Sequence, residues 1–190
     1  MQSIYVPTAI GVAALAELDR VDWDDLAFAY SGLPRESLHN DVAASLRRLA
    51  DDPETALDAL FSNIYHQRTV YEATAYAVPF LAAVAADPAW PRLERMQLAV
   101  LLVAIGLSST FATDDGCFAG AFGEGVDERI REALVASTDR LRAMRDAHPT
   151  VAAAIDALCM LAAEPVSDEN FQRTRDAISA LEAANRELRG

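Results

Sequence analysis

The sequence predicts an all-α fold: antiparallel helix pairs stacked as a short α-α superhelix, with a compact helical bundle as the alternative. Three observations carry this. Hydrophobic residues fill 52% of the 190 positions but aromatics only 7%, so much of the apolar content is alanine and leucine. Alanine favours helix because it loses no side-chain rotamer freedom there. Apolar residues recur at helical spacing along most of the chain, and no convincing strand pattern interrupts them. Charged residues are only 24%, too few for a disordered polar chain. The length fits one domain over residues 1–190.

The elements follow in order. Ala9 to Leu18 reads as a first helix, and Trp23 to Tyr30 as a short second one, with Asp22 as its N-cap and Gly32 and Pro34 as its breakers. Ser37 to Ala50 carries Leu38, Val42, Leu46 and Leu49 on one face. Asp52 then caps the next helix and Pro53 takes its first position, where a missing N–H costs nothing. That helix turns Ala56, Leu57, Leu60, Phe61 and Ile64 inward.

Thr69 and Glu72 have the spacing of a capping box that opens the following helix. Pro79 falls inside its pattern and predicts a kink or a split near Val78, since proline removes a donor and clashes with the preceding turn. Leu93 to Leu107 is apolar nearly all round and is expected to be the most buried helix. A Gly/Asp-rich loop at about 108–125 carries Asp114, Asp115 and Gly116, and loops of that length are often functional. Val126 to Ala147 returns to helix, Pro149 starts another through Ala163, and Ser167 caps a last one bearing Phe171, Ile178, Leu181 and Leu188. Ser37–Tyr65, Thr69–Leu107 and Val126–Ala163 thus form three pairs, near the ~40-residue period of HEAT-type units.

The net charge is −13, and all 16 cations are arginine. Without lysine there is no Schiff base, no phosphate-loop lysine and no lysine general base. An acidic surface repels phosphate backbones, which argues against nucleic acid and for a basic protein partner. Met1 to Leu18 has no basic leading region and is broken by Pro7, so it predicts neither a secretion signal nor an anchor. The apolar run Leu98–Leu107 is too short to span a bilayer. The expectation is a cytoplasmic protein, not membrane-bound and open to self-association.

One stretch resembles a known family. Asp22-Trp23-Asp24-Asp25-Leu26, then Ala29-Tyr30, then Asn63-Ile64-Tyr65-His66-Gln67-Arg68-Thr69-Val70-Tyr71-Glu72 continuing to Ala77-Val78-Pro79-Phe80-Leu81, is similar to bacterial HEAT-like helical repeat proteins. The resemblance runs from Asp22 to about Leu107. It implies a helical scaffold and, for some members, an immunity or regulatory role, but no reaction. Arg68 stands where the pattern has glycine, which puts the geometry of that turn in question.

Candidate sites are few. His39, His66 and His148 lack a second ligand at metal-binding spacing, and Asp114-Asp115-Gly116 lacks the other ligands of a calcium loop. No metal and no cofactor are expected. Cys117 and Cys159 sit far apart without a metal spacing; the sequence permits one disulfide between them but does not demand it, and no local feature activates Cys117 as a nucleophile. The polar turn His66, Gln67, Arg68 with Tyr71, together with Asp114 and Asp115, is the expected partner-binding surface. His66 also has a structural reading, as a cap for the carbonyls of the preceding helix. The leading expectation is a non-enzymatic interaction scaffold with an acidic face, sharpened to an immunity or antitoxin-like protein that blocks a basic partner. The rival is a hydrolase-like enzyme that brings His66, Glu72 and the Asp114/Asp115 loop into one pocket. A purely structural subunit is the third reading.

Overall fold

A computed structural model describes residues 2–29, 42–66, 68–115, 125–163 and 168–189, with the side chains of 109–115 and 189 outside that set. The all-α class holds. A 3-10 helix, Gly11–Arg20, is followed by α1 (Val42–Arg48), α2 (Pro53–Asn63), a hairpin of β1 (Tyr65–His66) and β2 (Thr69–Val70), α3 (Glu72–Ala85), α4 (Arg92–Asp115), α5 (Val126–Ala136), α6 (Thr138–Ala143), α7 (Pro149–Ala163) and α8 (Asp168–Arg189).

The helices lie in two interlocked rows. α1, α3 and α5 contact in sequence along one row, and α2, α4 and α7 along the other. α8 departs from a one-dimensional stack: it packs on α7 and also folds back along α4. Repeat stacks touch only their neighbours, so this return makes the assembly a bundle. A single apolar cluster runs from Leu15 through α3, α4 and α7 to Leu181.

α3 is the centre. Every residue from Ala73 to Ala85 is buried, which gives it, rather than α4, the most enclosed position. Its alanines let neighbouring backbones approach closely. Pro79 lies inside it, yet Glu72–Ala85 remains one helix and does not split near Val78. An interior proline costs about 3 kcal/mol, and burial of every residue from Ala73 to Ala85 offsets that cost.

The start of α2 is as expected: Asp52 accepts from the Thr55 amide at 3.3 Å and Pro53 takes the first turn. Elsewhere the boundaries move. The N-terminal element is 3-10 and spans Gly11–Arg20, and residues 23–29 form turns rather than a helix. The segment 126–147 breaks at Ser137 into α5 and α6, then ends in a 3-10 turn, Met144–Asp146. α4 runs on to Asp115, so the expected loop at 108–125 is helical over its first part; residues 116–124, with Cys117, lie outside the described set, as do His39 and Ser167.

Buried arginines tie the rows together. Arg95, with a side chain only 5% exposed, donates to the Ala85 and Ala143 carbonyls and pairs with Asp146 at 2.6 Å. That pairing holds the Asp146 carboxyl below its usual range. Gly106 lets α4 meet α7: a Cβ there would come within 2.3 Å of Leu158 Cδ1.

Candidate functional site

The polar run 65–71 is a hairpin. Tyr65 pairs with Val70 and His66 with Thr69 in antiparallel register. Arg68 sits in its turn with φ 68°, the left-handed region that favours glycine. The chain therefore makes the glycine turn with an arginine. Thr69 belongs to β2, so the expected Thr69–Glu72 capping box does not form. Tyr71 is the N-cap of α3, and Thr74 closes the cap: its Oγ1 accepts from the Tyr71 amide at 2.9 Å and donates to the Ile64 carbonyl at 2.6 Å. One buried hydroxyl thus joins the end of α2 to the start of α3.

This distributes the expected surface. His66 is half-buried and Arg68 exposed, while Tyr71 is only 5% exposed. Gln67 and the side chains of Asp114 and Asp115 lie outside the described residues.

Two concavities flank this region. The first, of about 320 Å³, is lined by Gln2, Asp22, Asp25, Leu26, Glu72 and Tyr76. Its floor is a fixed polar network. Arg129 of α5, largely buried, donates to Tyr76 Oη at 2.8 Å and to Glu72 at 3.3 Å. The Tyr76 hydroxyl donates to the Gln2 carbonyl at 2.7 Å. Burial pushes the Tyr76 phenol above its ordinary pKa, so it stays a neutral donor. Asp22 and Asp25 are exposed on the rim. The rim is anionic, and Arg129, already engaged by Glu72 and Tyr76, offsets only part of that charge.

The second concavity, of about 210 Å³, lies where the hairpin meets α4 and α8. Tyr65, Leu107, Phe171 and Ile178 supply apolar walls, and Arg68, Arg175 and Glu182 supply charge. Ser108, expected to open the loop, is buried in α4 and donates back to the Ala104 carbonyl at 2.8 Å.

Neither concavity is lined by both His66 and Glu72. Among the described residues no group of three or more His, Cys, Asp or Glu could hold a metal ion, and no helix is long and apolar enough to cross a membrane. Cys159 is a free, half-buried thiol, and burial raises its pKa, away from the thiolate a nucleophile needs. Sequence reasoning missed Arg175 and Glu182, which sit on α8 without any motif, and Arg129, which carries no motif either. Compared with known proteins, the chain matches no family model, no curated protein and no solved structure.

Proposed function

We propose that the protein is a non-enzymatic, cytoplasmic interaction module that engages a basic protein partner through an acidic face, as an immunity or antitoxin-like protein does when it occupies a cationic substrate groove. The observation that carries this reading is the 320 Å³ concavity with Asp22 and Asp25 on its rim and Glu72 in its floor. Its carboxylates stand on a rigid base, because the Arg129–Tyr76–Gln2 network joins α5, α3 and the N-terminal segment. A preorganised anionic surface loses little on ordering and steers a cationic partner into place. The net charge of −13 extends that field over the whole molecule. The resemblance of Asp22–Leu107 to HEAT-like repeat scaffolds, which implies an immunity or regulatory role for some members, points the same way.

The test compares capture from native lysate by the wild-type chain and by an Asp22→Asn, Asp25→Asn variant, at low and at high salt. The reading expects a discrete basic protein that binds the wild type at low salt, leaves at high salt, and is depleted at least about tenfold on the variant, a difference of about 1.4 kcal/mol. Capture of acidic proteins alone, or equal capture by both chains, would reject it.

A further inference from the structure

We propose that the groove between the hairpin turn and α8 binds a small amphipathic carboxylate, with its anionic end on Arg68 and Arg175 and its apolar body against Tyr65 and Phe171. This site is separate from the acidic face and does not depend on it.

Two arginines line this groove against a single carboxylate, Glu182. Carboxylates outnumber arginines by 29 to 16. Arg47, Arg95, Arg129 and Arg145 each pair with an Asp or Glu, Arg92 and Arg140 donate to backbone carbonyls, and several exposed arginines such as Arg48 and Arg173 carry no ion pair among the described residues. Arg68 and Arg175, which line one groove, form no ion pair among the described residues. Guanidinium forks match carboxylate geometry, and two from separate elements can hold both oxygens.

The backbone at Arg68 is left-handed: its φ of 68° lies in the region that strains a residue with a Cβ. Glycine would adopt the turn without that strain, yet the position carries a cation aimed at a groove. Strain of this kind gathers at ligand-binding positions.

Arg68 and Arg175 against Glu182 leave one net positive charge in the groove, which suits a monoanion and opposes a dianion such as a phosphate ester. Phe171 and Ile178 give the walls an apolar character that a free inorganic anion would not use. About 210 Å³ is the space of roughly seven waters, below the ~300 Å³ at which drug-sized pockets begin. Phenylacetate is a probe of that size and character.

The experiment titrates phenylacetate into the full chain at low salt and follows backbone amides by heteronuclear NMR. Saturable shifts are expected at residues 65–70 and 171–182, with a Kd of millimolar or tighter. Arg175→Gln, on an exposed helix face, is expected to weaken binding about tenfold. Arg68→Gly removes the guanidinium while fitting the left-handed turn, and is expected to do the same with the thermal midpoint retained. Arg47→Gln, at an ion pair elsewhere, is expected to leave binding unchanged. The neutral analogue 2-phenylethanol is expected not to saturate. Absence of saturable shifts, shifts untouched by both groove variants, or tighter binding of inorganic phosphate than of phenylacetate would each overturn the proposal.

Discussion

At the scale of single residues, the molecule depends on a few positions whose identity is set by contact rather than by propensity. Gly106 is the clearest. In an exposed helix, glycine to alanine gains about 1 kcal/mol, but at position 106 the new methyl would meet Leu158 Cδ1 at 2.3 Å. Leu158 is fully buried, so it has no free space to turn into. Gly106→Ala is therefore expected to lower stability in urea by about 1–3 kcal/mol, and Leu158→Ala in the same chain to recover part of that loss through a favourable coupling. Strict additivity of the two changes would contradict the contact. Arg95 carries a different load. Arg95→Leu would leave the Ala85 and Ala143 carbonyls without their donor, at an expected cost of about 3 kcal/mol. Asp146 has a 61% exposed side chain, so Asp146→Asn should cost under about 1 kcal/mol. Equal destabilisation by both, measured by equilibrium denaturation, would show that the ion pair and not the carbonyl bonds does the tying.

At the scale of elements, the α2–hairpin–α3 junction shows how a polar run becomes architecture. Thr74 satisfies the Ile64 carbonyl and the Tyr71 amide with one hydroxyl that is completely buried. Thr74→Val keeps the shape and strands both groups, for an expected loss of about 2–3 kcal/mol; Thr74→Ser keeps the hydroxyl and should cost well under half as much. Similar values for the two would mean that packing, not hydrogen bonding, fixes the junction. This element also marks where the sequence is readable. Asp52-Pro53 and Pro149–Ala163 were legible because caps and proline act within one turn of chain. The Thr74 cap was not, because its second partner is Ile64, ten residues back across a hairpin. The return of α8 onto α4 depends on neighbours far away in sequence. The same holds for the groove: Arg68 stood out as an arginine in a glycine's place, while Arg175 looked like any solvated helix position until α8 was laid beside the hairpin.

At the scale of the whole molecule, the N-terminal segment is a strap held over the bundle, and a single carboxylate, Glu17, gathers the hydrogen bonds that fasten it. Glu17, in the 3-10 helix, accepts from the Thr8 amide at 2.9 Å, the Ala9 amide at 2.9 Å, the Thr8 hydroxyl at 2.8 Å and the Tyr5 hydroxyl at 2.5 Å. The Tyr5 bond and then the two amides hold the Glu17 carboxyl near pKa 2, against an ordinary 4.5. Tyr5 and Trp23 in turn set their rings against Phe80 of α3, with centroids 6.2 and 6.0 Å apart, so the strap also helps enclose the central helix and borders the acidic concavity through Gln2. The sign of the pH effect follows. Because the folded-state pKa lies below the unfolded one, the unfolded chain binds more protons between them. The stabilisation is complete above about pH 4.5 and is lost as pH falls towards about 2. Acidification also removes repulsion among the many other carboxylates, so the midpoint of the wild type alone mixes two effects. The difference between wild type and Glu17→Gln isolates the strap. The wild type should melt higher at pH 6 and 7, and the two melting curves should converge between pH 4.5 and 2, with hydrogen exchange at the Thr8 and Ala9 amides quickening in the wild type over the same range relative to the bundle core. A gap between the two proteins that stays constant from pH 7 to pH 2 would show that Glu17 acts by shape rather than by charge.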